Sequence, residues 1–135
     1  MNAVAEARER TRSVPARAVL LIGAESLERP LQHLFASSHW TLMQESSLAR
    51  GMDLVESARI PVVLCDEADV QRIEGAASKL DLRPLIIALS DNQRLAPGIH
   101  AYGRRAFLMN AHRIAKGEWF SLLNQAWRTN ERSAL

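Results

Sequence analysis

Five short apolar runs recur along this chain of 135 residues, and that recurrence restricts the fold more than any other feature. The runs are Ala18–Ile22, Trp40–Met43, Ile60–Cys65, Pro84–Leu89 and Ala106–Met109. All but the second are unbroken by a polar residue, the pattern of strands covered on both faces. Between them, apolar residues fall at helical spacing: Leu27, Leu31, Leu34 and Phe35, then Leu48, Met52 and Val55, then Val70, Ile73, Ala77 and Leu80. A last helix carries Trp119, Phe120, Leu123, Ala126 and Trp127. Ser26 and Ser47 stand where helix caps are needed. Pro30 falls in a first turn, where its missing N–H does no harm, and Gly51 weakens its helix modestly. Residues 91–103 contain Pro97, Gly98 and Gly103, so a fourth helix is expected to be short, broken or displaced.

Strands alternating with helices argue for right-handed βαβ units covering both faces of a parallel sheet. The fold class expected is α/β, a doubly wound five-stranded parallel sheet of order 2-1-3-4-5. Sites in such sheets lie outside the carboxyl ends of the strands. Here those positions are Gly23, Ala24 and Glu25, Asp66 and Glu67, Ser90 and Asp91, and Asn110.

Charge and composition exclude several classes. The net charge is +2, and the excess lies in the first 17 residues, where Arg8, Arg10, Arg12 and Arg17 face only Glu6 and Glu9. Residues 1–16 therefore read as a mobile basic leader, 17–130 as the folded domain and 131–135 as a tail. The single cysteine, Cys65, forms no intrachain disulfide, and a packed thiol is its plainer role. No Cys/His cluster has zinc spacing. His33, His39, His100 and His112 show no ligand spacing and read as surface residues. The apolar runs are far shorter than the roughly 20 residues that span a bilayer, and the N-terminus lacks a secretory pattern. A cytoplasmic protein with no membrane contact is expected. Gly23-Ala24-Glu25 lacks any phosphate-cradling pattern, which gives a nucleotide cofactor little support. No nucleophile–base pair can be placed, so the chain is not read as an enzyme.

At Asp66, after an apolar strand, and Ser90, ending the next, the chain resembles the response-regulator receiver family, the chemotaxis-type fold of bacterial two-component signalling. The likeness spans about residues 17–130. The ending Leu122–Arg128 is similar to a receiver subfamily whose last helix closes in Ala-Trp-Arg. The resemblance implies a phosphoacceptor position at Asp66 and a hydroxyl switch at Ser90. It also implies a pair of Mg²⁺-binding carboxylates where this chain has Gly23 and Ala24, and a Lys-Pro pair where it has Asn110 and Ala111. The turn after the third strand is trimmed to Glu67-Ala68-Asp69. An aspartate that accepts a phosphoryl group gathers negative charge that Mg²⁺ and a lysine ordinarily offset. With both replaced, the expectation is a degenerate receiver, or pseudo-receiver, needing no cofactor. It would act in signal transduction as a phosphorylation-independent interaction module. Without the resemblance, Asp66 reads as a solvated carboxylate just past a strand end or a cap for the next helix, and Ser90 as a turn or cap hydroxyl.

The resemblance further implies a partner face formed by the fourth helical segment, the last strand and the last helix. Its candidate contacts are Tyr102, Arg104, Arg105, Trp119, Phe120 and Trp127, residue types favoured at interface hot spots. The partner would be a sensor kinase, an effector or a second copy forming a homodimer. Two alternatives stand beside this. One is a working phosphoacceptor at Asp66 with an unusual Mg²⁺ site, Glu25 or Glu67 supplying a carboxylate. The other is binding of nucleic acid or an acidic partner through the basic leader, for which four arginines against two glutamates make a weak patch.

Overall fold

The structure is a computed structural model that describes residues 17–36, 38–103, 105–114 and 116–134, the last five by backbone alone. The expected leader, residues 1–16, and Arg104 lie outside the described residues.

The strands are β1 (Ala18–Ile22), β2 (Thr41–Glu45), β3 (Val62–Asp66), β4 (Leu85–Ser90), β5 (Ile99–Ala101) and β6 (Ala106–Asn110). The helices among the described residues are α1 (Glu28–Phe35), α2 (Leu48–Ala58), α3 (Val70–Ala77) and α4 (Lys116–Ala134). Helix α4 continues past residue 130, where the expected domain boundary lay, through Ala134.

The sheet order is β2-β1-β3-β4-β6-β5. Its first five members are parallel neighbours in the order expected, but a sixth strand corrects the expectation of five. Strand β5 lies within the segment expected to hold a broken helix, and it pairs antiparallel with β6, Ile99 opposite Met109. Pro97 and Gly98, the glycine at φ +103°, direct the chain into β5. The return past Gly103 is held by Tyr102 and Gly103 N–H groups on the Ala106 carbonyl. This hairpin stands where a crossover helix would otherwise run.

Side-chain alternation along the strands divides the core into two layers. Leu20, Ile22, Val63, Cys65, Ile86 and Ala88 face α2 and α3, which bring Met52, Val55, Val70 and Ile73. Val19, Leu21, Leu64, Ile87, Leu89 and Met109 face α1 and α4, which bring Leu31, Phe35, Trp119 and Leu123. Gly51 has a packing reason: a Cβ there would lie 2.8 Å from Ile22 Cδ1, so the glycine lets α2 sit close on β1. Ser47 caps α2, its Oγ accepting from the Arg50 N–H at 3.4 Å. Ser26 does not cap α1. It lies inside a 3₁₀ turn, Glu25–Leu27, which leads directly into the helix from a left-handed Ala24.

Helix α4 is held by aromatic contacts. Trp119 is fully buried with its ring 5.8 Å from that of Phe35, and Phe120 meets Phe35 edge-on at 6.0 Å. Trp40 Nε1 donates to Asn124 Oδ1 at 3.3 Å. Trp127 is half-buried beneath the Arg17 guanidinium, 4.3 Å from its ring centre. Trp119→Ala is expected to cost about 3–5 kcal/mol of stability in urea unfolding, the usual range for an emptied aromatic core site. Trp127→Ala should cost clearly less, because its ring is only partly withdrawn from water. Equal losses for the two variants would contradict this packing.

Candidate functional site

The carboxyl ends of β1, β3, β4 and β6 meet at one edge of the sheet. Asp66 closes β3 half-exposed, and its Oδ1 accepts the Ala68 N–H at 3.1 Å. It thereby caps the 3₁₀ turn Glu67–Asp69. Asp69 reaches back toward β1, with Oδ2 3.7 Å from where a Gly23 side chain would begin, while its Oδ1 accepts from Arg72 at 3.2 Å.

Ser90 and Asn110 are the two polar side chains fully withdrawn from solvent among the described residues, each 1% exposed. They lie level on adjacent strands β4 and β6. Ser90 Oγ donates to Glu67 Oε2 at 2.6 Å, a short hydrogen bond to a charged acceptor. The same Oγ accepts the Asn92 N–H at 3.1 Å. Asn110 Nδ2 donates to the Leu95 carbonyl at 2.9 Å and the Asn92 carbonyl at 3.4 Å, and its Oδ1 accepts the His112 N–H at 2.9 Å. Asn110 therefore fastens the 91–95 loop over the end of the sheet. His112 stands 3.2 Å from Asp91 at the exposed rim, where a surface histidine was expected.

Gly23 and Ala24 both take left-handed backbone, φ 67° and 49°. The Gly23 N–H donates to the Glu45 carbonyl at 3.0 Å, so this corner is stitched to β2 by main chain. Neither residue offers a side-chain oxygen. These residues do not fit a bound Mg²⁺ ion. The Glu67 carboxylate is held by Ser90, Asp66 is turned to a backbone N–H, and Glu25 lies exposed in its own 3₁₀ turn. Among the described residues no three His, Cys, Asp or Glu side chains gather as metal ligands.

The expected partner residues are not brought together. Trp119 is fully buried against the sheet and is corrected from surface candidate to core residue. Phe120 and Trp127 pack toward α1 and the start of β1, away from the hairpin. The physical reason is the stripe they form on α4, which is the face that covers the sheet. Tyr102, 40% exposed, remains at the hairpin beside the half-buried Arg105. Sequence reasoning missed Arg83, in the loop before β4, which lies close enough to Arg105 to act on its charge.

The architecture is similar to that of solved structures. The N-terminal domain of a response regulator/sensory box/GGDEF 3-domain protein from Carboxydothermus hydrogenoformans matches with a TM-score of 0.60 and 10% identity, over 87% of this chain and 99% of that chain. No protein-family model matches the sequence, and no curated protein matches it. At that identity the likeness establishes the fold: the chain has the receiver fold. Among the described residues no helix is long and apolar enough to cross a membrane.

Two measurements probe the site. Asn110→Asp replaces the donor facing two carbonyls with an acceptor of the same shape. It should cost about 3 kcal/mol at neutral pH, with a smaller loss at acid pH, where a protonated carboxyl regains a donor. An Asp variant as stable as the parent would mean that the loop is held otherwise. The second concerns Cys65, whose thiol is pushed up from 9.0 to about 12 by burial, then by Asp69 and Asp66. The unfolded chain then releases this proton above pH 9 while the folded chain keeps it. Stability should fall between pH 9 and 12 more steeply for the parent than for Cys65→Ala, as read by urea titrations across that range. Parallel curves for the two proteins would contradict this.

Proposed function

We propose that this chain is a receiver-fold signalling module that works by protein association and does not depend on phosphorylation of Asp66. The supporting observation is that the groups a phosphoryl chemistry would need are absent or committed. The receiver likeness puts the acidic pair where this chain has Gly23 and Ala24. The lysine position is Asn110, whose amide is bound to the 91–95 loop. The hydroxyl of Ser90 already has an anionic acceptor in Glu67, so it needs no phosphoryl group to hold its position.

An incoming phosphoryl group would add negative charge beside Asp66, Glu67 and Asp69, and among the described residues no ion pair brings a cation to Asp66 or Glu67. The nearest guanidinium partner in that group, Arg72, serves Asp69 from the exposed side. The module has no reaction of its own in this reading. It carries its signal as a cytoplasmic partner of a sensor kinase, an effector or a second copy of itself. The hairpin with Tyr102 and Arg105 is its contact surface, since an exposed aromatic beside arginine is the composition of interface hot spots.

The test is incubation with Mg²⁺ and acetyl phosphate followed by intact-mass measurement. The parent is expected to show no phosphoryl adduct, and Asp66→Asn should have the same mass behaviour. An adduct present in the parent and lost in Asp66→Asn would establish Asp66 as a working phosphoacceptor and overturn the proposal.

A further inference from the structure

On the face of the sheet that α1 covers, at the carboxyl end of the strands, lies a mainly apolar cavity of about 240 Å³. One wall is α1 with its lead-in turn, where Leu27, Leu31 and Leu34 keep the i, i+4, i+7 spacing of a single helix stripe. The facing wall is Leu89 of β4, with Ala111 and Ile114 from the loop between β6 and α4. One position beyond Leu34, Phe35 bridges to Trp119 and Phe120, so α1 and α4 are in contact there. Leu31 and Leu89 are fully buried, but Leu27, Leu34, Ala111 and Ile114 are only half-buried. A chain laid along these four residues would take further apolar surface out of water.

The polar residues lining the cavity are basic. They are Lys116, the first residue of α4, with His33 and His112, and among the described residues no acidic side chain lines it. The carboxylates of the surrounding elements are directed elsewhere. Glu118 lies 3.4 Å from where a Gly98 side chain would begin, on the hairpin side. Glu28 faces the Gln44 amide on β2. Asp91 stands 3.2 Å from His112, which leaves Lys116 and His33 without an ion pair among the described residues. An apolar cleft with a few convergent polar groups at its mouth is the usual form of a small-molecule site.

We propose that this cavity binds a medium-chain carboxylate, its alkyl chain between α1 and the β6–α4 loop and its head group at Lys116 and His33. The volume sets the chain length. It is below the roughly 300–1,000 Å³ of sites for drug-sized ligands, and at roughly 30 Å³ per water it equals about eight waters, which suits a chain of roughly eight carbons. The rim sets the head group. An ammonium is a point charge suited to a singly charged head, and no guanidinium fork lines the cavity to hold a phosphate in pairs. Asp91, on the same rim, repels a dianion more than a single carboxylate. The proposal does not rest on the association reading above.

The test is NMR of leucine and isoleucine methyl groups in the full chain, titrated at constant ionic strength with butanoate, hexanoate and octanoate. Octan-1-ol and octyltrimethylammonium serve as uncharged and cationic controls. Octanoate is expected to shift the Leu27, Leu34 and Ile114 methyl signals to saturation, with affinity rising about fourfold per added methylene. Octan-1-ol should bind about tenfold more weakly and the ammonium not at all. Lys116→Glu reverses the rim charge at a helix start that tolerates an acidic residue. It should weaken octanoate about tenfold and leave octan-1-ol unchanged. No saturable shift with octanoate would overturn the proposal. So would equal affinity for octanoate and octan-1-ol, or unchanged octanoate binding in Lys116→Glu, since the cavity would then take any apolar group, a partner's side chain included. Shifts of the same methyl signals on diluting the protein alone would put a second copy of the chain there and also overturn it. None of these outcomes bears on the phosphorylation test.

Discussion

Two buried polar side chains, level with each other at the ends of adjacent strands, set the terms for this edge of the molecule. Ser90 and Asn110 have no access to water, so every donor and acceptor they carry must be met by protein. Ser90 meets this through Glu67 and Asn92, and Asn110 through Asn92, Leu95 and His112. Asn92 serves both, giving its N–H to Ser90 and its carbonyl to Asn110. The 91–95 loop is thereby locked over the sheet by side chains rather than by its own regular structure. The short β5 and its hairpin, next along the chain, begin from that fixed point.

The same bonds set the energetic cost of moving either side chain. A site that changes state needs groups with two alternative partners of similar energy. Here the hydroxyl is held by a carboxylate at 2.6 Å, and breaking that contact would strand a buried oxygen. Asn110 would strand three groups if it turned. Every polar group of the pair is bonded in this arrangement, at positions where the receiver likeness puts a switching hydroxyl and a lysine. Polar networks of this kind specify one arrangement when all members are satisfied.

Much of the fold was legible because burial on both faces writes long apolar runs into strands. β1 was readable to the residue, since nothing polar interrupts Ala18–Ile22. β3, β4 and β6 were placed within a residue or two, their ends blurred because Asp66, Ser90 and Asn110 are polar yet still in the ladder. β5 was invisible. Three residues, Ile-His-Ala, between Pro97-Gly98 and Gly103 carry no periodicity, and the strand exists only because β6 offers an open edge. The site was legible as a set of positions but not as a set of bonds. That Glu67 would turn to Ser90, 23 residues away, is a consequence of sheet register, which spacing does not reveal. The aromatic residues of α4 misled for a related reason. Trp and Phe suit an interface and a core equally well, and only the packing of Phe35 against Trp119 and Phe120 decides between them.

The hairpin also changes what borders the sheet beside β6. A right-handed crossover helix would have covered the face of the sheet on which α2 and α3 lie. A three-residue antiparallel strand instead leaves β5 as an edge with an open outer side. Proteins protect such edges by keeping them short and breaking their register. Both devices are present: β5 has three residues, Pro97 and Gly98 precede it, and His100 bonds back to the Ala96 carbonyl at 2.9 Å. An edge guarded against nonspecific strand addition still exposes Tyr102 at its tip and, through Arg105, positive charge at its base. What the hairpin offers at its surface is side-chain chemistry, an exposed aromatic ring beside a half-buried arginine, more than free backbone.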